Sequence, residues 1–364
     1  MENKKLEQLT LLKEELAKME DKTFNVYFFT VDSKGVHSGY LAYVYETAYH
    51  LKKLGYNVHM LHQEPDFIGV ESWMGEEYAS LPHHNIEKEK INLSLSDILF
   101  IPELFSNVMR TTDKAPCKRV VILQNFDYLT QVIPAGQTWM DFGIKECVST
   151  TTHLEERVKS IFPKVKTHVV SPIVNETVFN TPTNPKKLII NVVAKNPSNV
   201  NNIVKPFFWK YPMYRWVAFR ELKGLSRADF ADALKEAAFT VWVDHETNFG
   251  YSALEAMRCG SIVIGKVPEV APKWMVDGEE FVNNGVWYYN NDDVHMLIAG
   301  AVESFIKDGI HPDVYDNMKK TNELYTTDKF VKNLEEVYVN GIFETHKNSL
   351  KLLVSSLENI NKEE

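Results

Sequence analysis

Short apolar runs rich in β-branched and aromatic residues alternate with helical stretches along most of the chain. In the first half, the predicted strands are residues 25–31, 57–62, 97–102, 119–123, 146–149 and 167–171. Helical patterns lie between them, and the one at 41–54 ends before Gly55, a residue type that commonly follows the last turn of a helix. Strands that alternate with helices form βαβ units, which build a mostly parallel sheet with helices on its faces. The first half of the chain therefore predicts a doubly wound α/β fold.

The same alternation begins again after a linker-like stretch. Residues 180–185 contain two prolines and no aliphatic side chain. Beyond them, the predicted strands are residues 188–194, 214–219, 239–244 and 262–265. The chain has 364 residues, whereas single cores usually stop growing beyond roughly 250 residues. We therefore predict two Rossmann-like lobes facing a cleft, the first at 23–180 and the second at 186–309.

Both ends of the chain have helical patterns without strands. In residues 1–22, apolar side chains recur every three or four positions, at Leu6, Leu9, Leu12, Leu16 and Met19. This amphipathic helix either lies on the body of the protein or pairs with a second copy in a homo-oligomer, although fewer than three heptads are present. Residues 310–364 predict a helical tail.

Composition argues against several classes of protein. The chain has 40 Lys and Arg against 49 Asp and Glu, a net charge of −9, which disfavours a protein whose main task is to bind nucleic acid. It contains no apolar run of about 18 residues and no apolar signal core, so we expect a cytoplasmic protein without a membrane span. Cys117, Cys147 and Cys259 are odd in number and widely spaced, so they are expected to be buried thiols.

Several common ligand-binding motifs are absent from the sequence. No Gly-x-Gly-x-x-Gly follows a strand, and neither a P-loop nor a Gly-x-Ser-x-Gly elbow is present. This argues against a dinucleotide dehydrogenase, a P-loop ATPase and the usual α/β hydrolase. His59, His62, His83 and His84 have no companion ligands at a recognisable spacing, so we predict no metal site.

The most informative stretch is 239–265, whose pattern predicts strand, loop, helix and strand. Asn248 is predicted to cap the helix, so that the N–H groups of Phe249, Gly250 and Tyr251 point into the cleft. The positive end of the helix dipole favours an anion at this place, and a diphosphate fits it. A glycine at position 250 also lets an anion approach the backbone.

Glu255 follows Gly250 by about one and a half turns of this helix. Its carboxylate can accept hydrogen bonds from two vicinal hydroxyls, such as those of a ribose. The alternative is an exposed helix carboxylate without a binding role. Leu254, Ala256 and Met257 make the surrounding helix small and apolar, which favours the functional interpretation.

One run of residues carries a resemblance to a known family. It consists of Asn248-Phe249-Gly250, Leu254-Glu255-Ala256-Met257 and Cys259-Gly260, followed by the strand at 261–264. This run resembles the signature of the retaining nucleotide-sugar glycosyltransferases with two Rossmann-like lobes, the GT-B type. That group includes bacterial mannosyltransferases, glycogen-type synthases and sucrose synthases. Looser matches occur at 224–230 and at Gly39-Tyr40.

The resemblance implies a donor bound mainly by the second lobe, with Glu255 on the ribose and the amides near Gly250 on phosphate or sugar. It also implies that the lobes close over an acceptor held by the first lobe. Catalysis in such enzymes is chiefly electrostatic, because charge builds on the leaving diphosphate and fixed N–H groups and cations stabilise it. No metal or cofactor is then obligatory. The expected partners are a nucleotide sugar, carrying for example UDP or GDP, and an unidentified acceptor.

The sequence departs from the family pattern at the sugar and at the diphosphate. The first acidic residue of the family corresponds here to Thr247, while Glu246 lies one position earlier. We predict that Glu246 acts at the reacting sugar from a shifted loop, or that Thr247 makes the sugar contacts itself. The basic pair that relatives direct at the diphosphate is also displaced. Lys195 is the candidate cation, with a solvated surface lysine as the alternative, and Arg220 and Lys223 stand in reserve.

Two loops of the first lobe are candidates for contact with the acceptor or the phosphates. Ser38 and Gly39 come directly before a predicted helix, whose N-terminus gives an anion site a physical basis. Asn125 and Asp127 follow a predicted strand at the point where many relatives place a histidine near the reacting carbon. In both loops the alternative is an ordinary turn.

The sequence therefore predicts a glycosyltransferase that moves a sugar from a nucleoside diphosphate to an acceptor hydroxyl. A second possibility is a non-catalytic nucleotide-sugar-binding protein or a degenerate subunit, because Thr247 replaces an acid and the basic pair is missing. A third is a glycosyltransferase that acts on a modified nucleic-acid base, which the acidic composition disfavours.

Overall fold

The computed structural model describes residues 2–194, 197–243, 249–309 and 311–363. Seven parallel strands form the sheet of the first lobe: β1 (Asn25–Phe29), β2 (Asn57–His62), β3 (His83–Asn85), β4 (Ile98–Pro102), β5 (Lys118–Leu123), β6 (Glu146–Ser149) and β7 (Lys166–Val169). They are ordered β3-β2-β1-β4-β5-β6-β7. The helices of this part are α1 (Glu2–Glu20), α2 (Gly39–Lys53), α3 (Glu71–Met74), α4 (Glu76–Ala79), α5 (Ser106–Thr111), α6 (Phe126–Val132) and α7 (Thr152–Ile161). Every residue of the central strand β4 is buried, as expected for a parallel sheet covered on both faces.

The second lobe has a smaller parallel sheet of the same kind. Its strands are β8 (Lys187–Val193), β9 (Ala218–Glu221), β10 (Ala237–Trp242), β11 (Ile262–Lys266) and, after the short antiparallel hairpin of β12 (Val276–Asp277) and β13 (Glu280–Phe281), β14 (Val286–Tyr288). The sheet is ordered β14-β11-β10-β8-β9. The helices are α8 (Pro197–Lys210), α9 (Arg227–Glu236), α10 (Tyr251–Arg258), α11 (Val294–Asp308) and α12 (Pro312–Asn322). The predicted α/β fold with two doubly wound lobes is confirmed, and the predicted linker at 180–185 lies between the two sheets.

The C-terminal helices return to the first lobe. They are α13 (Thr327–Leu334), a π-helical segment (Glu335–Phe343) and α14 (Glu344–Glu363). Phe330, Leu334 and Tyr338 are buried in the same core cluster as β1 and α2. The tail therefore stabilises the first lobe although it follows the second in sequence.

The N-terminal helix α1 packs along α14 of the same chain. Leu9, Leu12 and Met19 are buried in the first-lobe core, whereas Leu6 and Leu11 are exposed. The apolar positions that the sequence singled out are thus largely occupied within the chain. A homo-oligomer through this helix stays a prediction.

The edge strand β9 differs from its predicted position. A strand was expected at 214–219, but the chain forms a single 3₁₀ turn at Pro212–Tyr214 and the strand spans Ala218–Glu221. The aromatic residues that produced this prediction, Tyr214 and Trp216, lie outside the sheet, and Trp216 is exposed. The β propensity of aromatic side chains therefore misplaced the strand by a few residues.

The three cysteines are free and buried, which confirms the prediction made for them. Among the described residues, no group of three or more His, Cys, Asp or Glu side chains is arranged to hold a metal ion. None of the described helices combines the length and the apolar character needed to span a bilayer.

Candidate active site between the two lobes

A cleft of about 450 Å³ lies between the lobes, at the carboxyl ends of both sets of parallel strands. This is where open α/β sheets bind their ligands. The wall from the first lobe includes Ser38, Gly39, Tyr40, Gln124, Asn125 and Tyr128. The wall from the second lobe includes Lys223, Trp242, Phe249, Gly250, Tyr251 and Ser252. The structure thus brings predicted residues from both lobes into one site.

The N-termini of two helices meet in this cleft. Helix α2 begins at Gly39 after the N-cap Ser38, whose hydroxyl accepts a hydrogen bond from the Leu41 N–H at 3.4 Å. Helix α10 begins at Tyr251. The two ends are in contact, because a Cβ placed on Gly39 would lie 3.0 Å from the Tyr251 Cβ. Two positive helix ends therefore face one space, which favours a ligand with negative charge.

The cap of α10 differs from the prediction. Asn248, expected to be the N-cap, lies outside the described residues, and Gly250 occupies the N-cap position with φ 76° and ψ 49°. The carbonyl oxygen of Gly250 accepts the N–H groups of Ala253 and Leu254, each at 3.1 Å. The N–H groups at the start of the helix are then those of Tyr251 and Ser252, so the helix begins two positions later than expected.

The packing behind the loop requires a glycine at position 250, which is a different reason from the one predicted. A Cβ at this position would lie 2.6 Å from the Met275 Cε and 3.0 Å from Trp274, and the left-handed backbone also disfavours a side chain. A larger residue would therefore collide with the core behind the cleft instead of blocking the approach of an anion.

Glu255 is buried, which contradicts the alternative of an exposed helix carboxylate. The residue is 1% exposed, and burial raises its pKa to about 7 against the opposing effect of Arg227. Its Oε1 lies 3.8 Å from Nε2 of His37, which is on the first lobe. Burial, together with Arg227, lowers the pKa of His37 to about 4, so this histidine is neutral at pH 7. The Oε2 atom of Glu255 has no hydrogen-bond partner among the described residues.

A buried ion pair joins the lobes next to Glu255. Arg227, the first residue of α9, places Nη2 3.4 Å from Oε1 of Glu46 on α2. The other oxygen of Glu46 accepts a hydrogen bond from the Tyr78 hydroxyl at 2.7 Å. Burial raises the pKa of Glu46, and the positive charge of Arg227 opposes that rise. Arg227 Nε and the Tyr251 hydroxyl, like Glu255 Oε2, are buried without a partner among the described residues.

Glu103 is a site residue that the sequence did not reveal. It follows β4 and is fully buried. Its Oε1 accepts the N–H groups of Gln124 and Asn125 at 3.2 and 2.8 Å, and its Oε2 accepts the Tyr40 hydroxyl at 2.9 Å. Burial raises the pKa of Glu103 to about 7. This single carboxyl group therefore holds two segments of the first-lobe wall together.

The two first-lobe candidates after β5 have different positions. Asn125 lines the cleft and also caps α6, accepting the Asp127 N–H at 2.8 Å. Asp127 is exposed in the first turn of α6 and does not line the cleft. The turn interpretation therefore describes Asp127, while Asn125 combines a cap with a place in the wall.

The candidate cations of the second lobe have different surroundings. The guanidinium of Arg220 donates to Glu236 at 2.7 Å and to Asn191 at 2.9 Å, so it is engaged within the second lobe. Lys223 is exposed and lines the cleft. The predictions for Lys195, Glu246, Thr247 and Asn248 lie outside the described residues.

Comparison with solved structures supports this architecture. Sucrose-phosphate synthase from Thermosynechococcus elongatus matches with a TM-score of 0.60 and 11% identity, over 87% of this chain and 98% of that one. The pneumococcal O-GlcNAc transferase, solved with UDP and GlcNAc, matches with a TM-score of 0.62 and 8% identity, over 88% and 99% of the two chains. A lipopolysaccharide outer core galactosyltransferase matches with a TM-score of 0.58 and 10% identity, over 88% of this chain and 100% of that one. The fold is therefore that of the two-lobed, GT-B type glycosyltransferases.

Sequence comparison leads to the same class of protein. No family model matches the chain. A curated alpha-1,6-glucosyltransferase from Actinobacillus pleuropneumoniae serotype 7 is 20% identical over 302 residues, which cover 80% of this chain and 87% of that protein. Fold, cleft and relative together confirm the predicted class: the chain is a glycosyltransferase of the two-lobed type.

Proposed function

We propose that the cleft binds a nucleoside-diphosphate sugar and that the chain transfers its sugar to an acceptor hydroxyl with retention of anomeric configuration. The observation that carries this proposal is the meeting of the α2 and α10 N-termini at Gly39 and Tyr251. Two helix ends facing one cleft suit a diphosphate better than a neutral ligand. The N–H groups of Tyr251 and Ser252 are the donors for its oxygens.

Glu255 is the proposed partner of the ribose. Its buried carboxylate has an oxygen, Oε2, without a partner among the described residues. Leaving such a group unsatisfied is costly, whereas a vicinal diol supplies donors to both of its oxygens. Those donors would also lower the pKa of Glu255 from about 7, so that donor binding favours the carboxylate form.

The chemistry follows from where the charges lie. As the bond from the sugar C1 to the diphosphate oxygen breaks, negative charge grows on the diphosphate and positive charge on the sugar ring. The two helix ends and Lys223 stabilise the negative charge on the diphosphate, with Lys195 as a further candidate. The acceptor oxygen forms the new bond to C1 from the same face, and its proton passes to the departing phosphate. Glu246 or Thr247 is proposed to bind the sugar, and no step requires a metal or a cofactor.

The first-lobe wall is the proposed acceptor site. Tyr40, Asn125 and Tyr128 line this wall, and polar side chains of these types suit a hydroxyl-bearing acceptor. Glu103 fixes Tyr40 and Asn125 relative to one another.

A panel of UDP-, GDP-, ADP- and TDP-linked sugars tests the proposal by thermal shift, because a selective ligand stabilises the native state by mass action. Glucose donors come first, since the curated relative is named a glucosyltransferase. Donor hydrolysis or transfer in the presence of EDTA then separates an enzyme from a binding protein. The proposal fails if no nucleotide sugar stabilises the protein, and turnover only with added divalent cation would contradict its metal-independent part. Retarded migration of DNA at low salt would instead support the nucleic-acid alternative.

A further inference from the structure

The second lobe exposes two tryptophans close together at the end of α8. The chain has seven tryptophans. Trp73, Trp139, Trp242, Trp274 and Trp287 are 5% exposed or less. Trp209 and Trp216 are instead 76% and 60% exposed, and Met213 between them is 64% exposed. Three large apolar side chains exposed within eight positions of the chain favour a contact with a partner.

Positive charge surrounds these apolar residues. Lys205, Lys210 and Arg215 are exposed in the same segment. Residues 205–216 contain these three cations and no Asp or Glu, in a chain whose net charge is −9. One acid from another element reaches the segment, because Glu303 of α11 accepts a hydrogen bond from Tyr214. We call Trp209, Met213 and Trp216, with Lys205, Lys210 and Arg215, the tryptophan surface.

The tryptophan surface has a rigid base and lies away from the cleft. The buried ring of Phe207 packs against Tyr211 and Phe219 with centroid distances of 5.6 and 5.3 Å. Helix α8 starts after the carboxyl end of β8, where the cleft is, and runs toward the opposite end of the sheet. The residues after it lead into the amino end of β9, whose carboxyl end returns to the cleft at Lys223. A partner on this surface therefore leaves the cleft open.

We propose that the tryptophan surface docks the protein on the surface of an anionic lipid bilayer. Tryptophan prefers the membrane interface, and exposed Lys and Arg beside it attract anionic headgroups. The negative charge on the rest of the chain is repelled by the same bilayer, which orients the protein with this surface toward the lipid. A second copy is a poorer occupant, because a two-fold interface would bring the three cations of each copy together. A neutral glycan is also a poorer occupant, because it carries no charge that the three cations would attract.

Sedimentation of the purified full chain with vesicles tests this proposal. We expect binding to phosphatidylcholine vesicles that contain about 30 mol% phosphatidylglycerol, little binding to pure phosphatidylcholine, and loss of binding as salt rises to about 500 mM. Lys210→Gln and Arg215→Gln should each lower the partition coefficient about fivefold. The double substitution Trp209→Ser/Trp216→Ser should lower it at least roughly tenfold. It should also abolish the blue shift of tryptophan emission that vesicles cause.

The matched control is Leu352→Ser/Leu353→Ser, which removes two apolar side chains that are 70% and 51% exposed on α14. It should leave vesicle binding unchanged, and circular dichroism should show that both double variants are folded. Absence of binding to anionic vesicles at low salt overturns the proposal. So does binding that is equal on neutral vesicles. Two other results, each without vesicle binding, would assign the tryptophan surface to a different occupant. One is self-association in light scattering that Trp209→Ser/Trp216→Ser abolishes, and the other is retention by a polysaccharide resin that the same variant abolishes.

Discussion

Glu103 shapes the cleft through three hydrogen bonds and also makes stability depend on pH. Burial raises the pKa of Glu103 and of Glu255 to about 7, above the ordinary value of 4.5. Between these values the two carboxyl groups keep protons in the folded chain that they lose in the unfolded chain, so their contribution to stability falls as pH rises toward 7. Glu15 and Glu146 act in the opposite sense at lower pH, because their hydrogen bonds and ion pairs hold their pKa at about 2. His37 and His50 also oppose the fall between about pH 4 and 6.5, because burial lowers the pKa of each to about 4 and the unfolded chain there binds protons that the folded chain does not.

The first prediction concerns Glu103→Gln. The amide keeps an acceptor for the N–H groups of Gln124 and Asn125 but cannot titrate, so it removes the contribution of Glu103 to this pH dependence. The free energy of unfolding should fall less between about pH 5 and pH 7 than in the parent, by about 2 kcal/mol. Urea unfolding at several pH values measures this, with the exposed Glu279→Gln as control. Equal slopes for Glu103→Gln and the parent would refute the assignment.

The second prediction concerns the donor. Glu255→Gln preserves the shape of the side chain but replaces one carboxylate oxygen by an NH2 group, which cannot accept a hydrogen bond from a ribose hydroxyl. We expect donor affinity to fall about tenfold, or about 1.4 kcal/mol, without loss of folding. Calorimetric titration of Glu255→Gln and of Glu279→Gln with the nucleotide sugar selected by thermal shift makes the comparison. Unchanged affinity in Glu255→Gln would remove this residue from the donor site.

At the level of elements, α2 and α10 form the proposed diphosphate site only while their N-termini stay in contact. Gly39 lies at this contact, and a methyl group there would sit 3.0 Å from two atoms of Tyr251. The third prediction is that Gly39→Ala separates the two helix ends slightly and weakens donor binding roughly threefold to tenfold, because two anion-binding ends no longer converge. Stability should change little, since alanine also favours the helix.

Gly300→Ala is the matched control for this prediction. It makes the same substitution inside α11, where nothing lies within 4 Å of the added methyl group. It should raise stability by about 0.5–1 kcal/mol and leave donor affinity unchanged. If Gly39→Ala binds the donor as tightly as Gly300→Ala, the two helix ends do not act together.

Elements were the part of this fold that the sequence predicted best. Most strands of both sheets were expected close to their observed positions, because parallel strands buried on both faces appear as continuous apolar runs. β9 was misplaced because Tyr214 and Trp216 have high β propensity but lie outside the sheet. β3 and β14 were missed; each has only three residues, and His83–Asn85 carries no strand pattern. The cap at Gly250 could not be foreseen either, because the packing of Met275 and Trp274 behind it is a tertiary property.

At the scale of the whole molecule, the sequence predicted two lobes and a cleft but not the buried charges that join the lobes. Glu46 and Arg227 are 181 positions apart, and no local spacing relates them. The role of His37 beside Glu255 is equally a product of lobe packing. A local pattern in the sequence was therefore enough to make Glu255 a candidate, and its role stays a prediction, while the pairing of Glu46 with Arg227 depends on contact between the lobes and could not be predicted.

The last prediction tests the ion pair between Arg227 and Glu46. Arg227→Met leaves Glu46 as a buried charge without its cation and should lower the free energy of unfolding by about 3–5 kcal/mol. Arg227→Met/Glu46→Gln should recover part of that loss, because no carboxylate remains at position 46. Lys187→Met, which breaks the exposed pair with Glu236 inside the second lobe, should cost less than about 1 kcal/mol. Urea unfolding gives the energies, and small-angle scattering should show a larger radius for Arg227→Met alone. Additive losses in the double variant would mean that the two charges do not hold the lobes together.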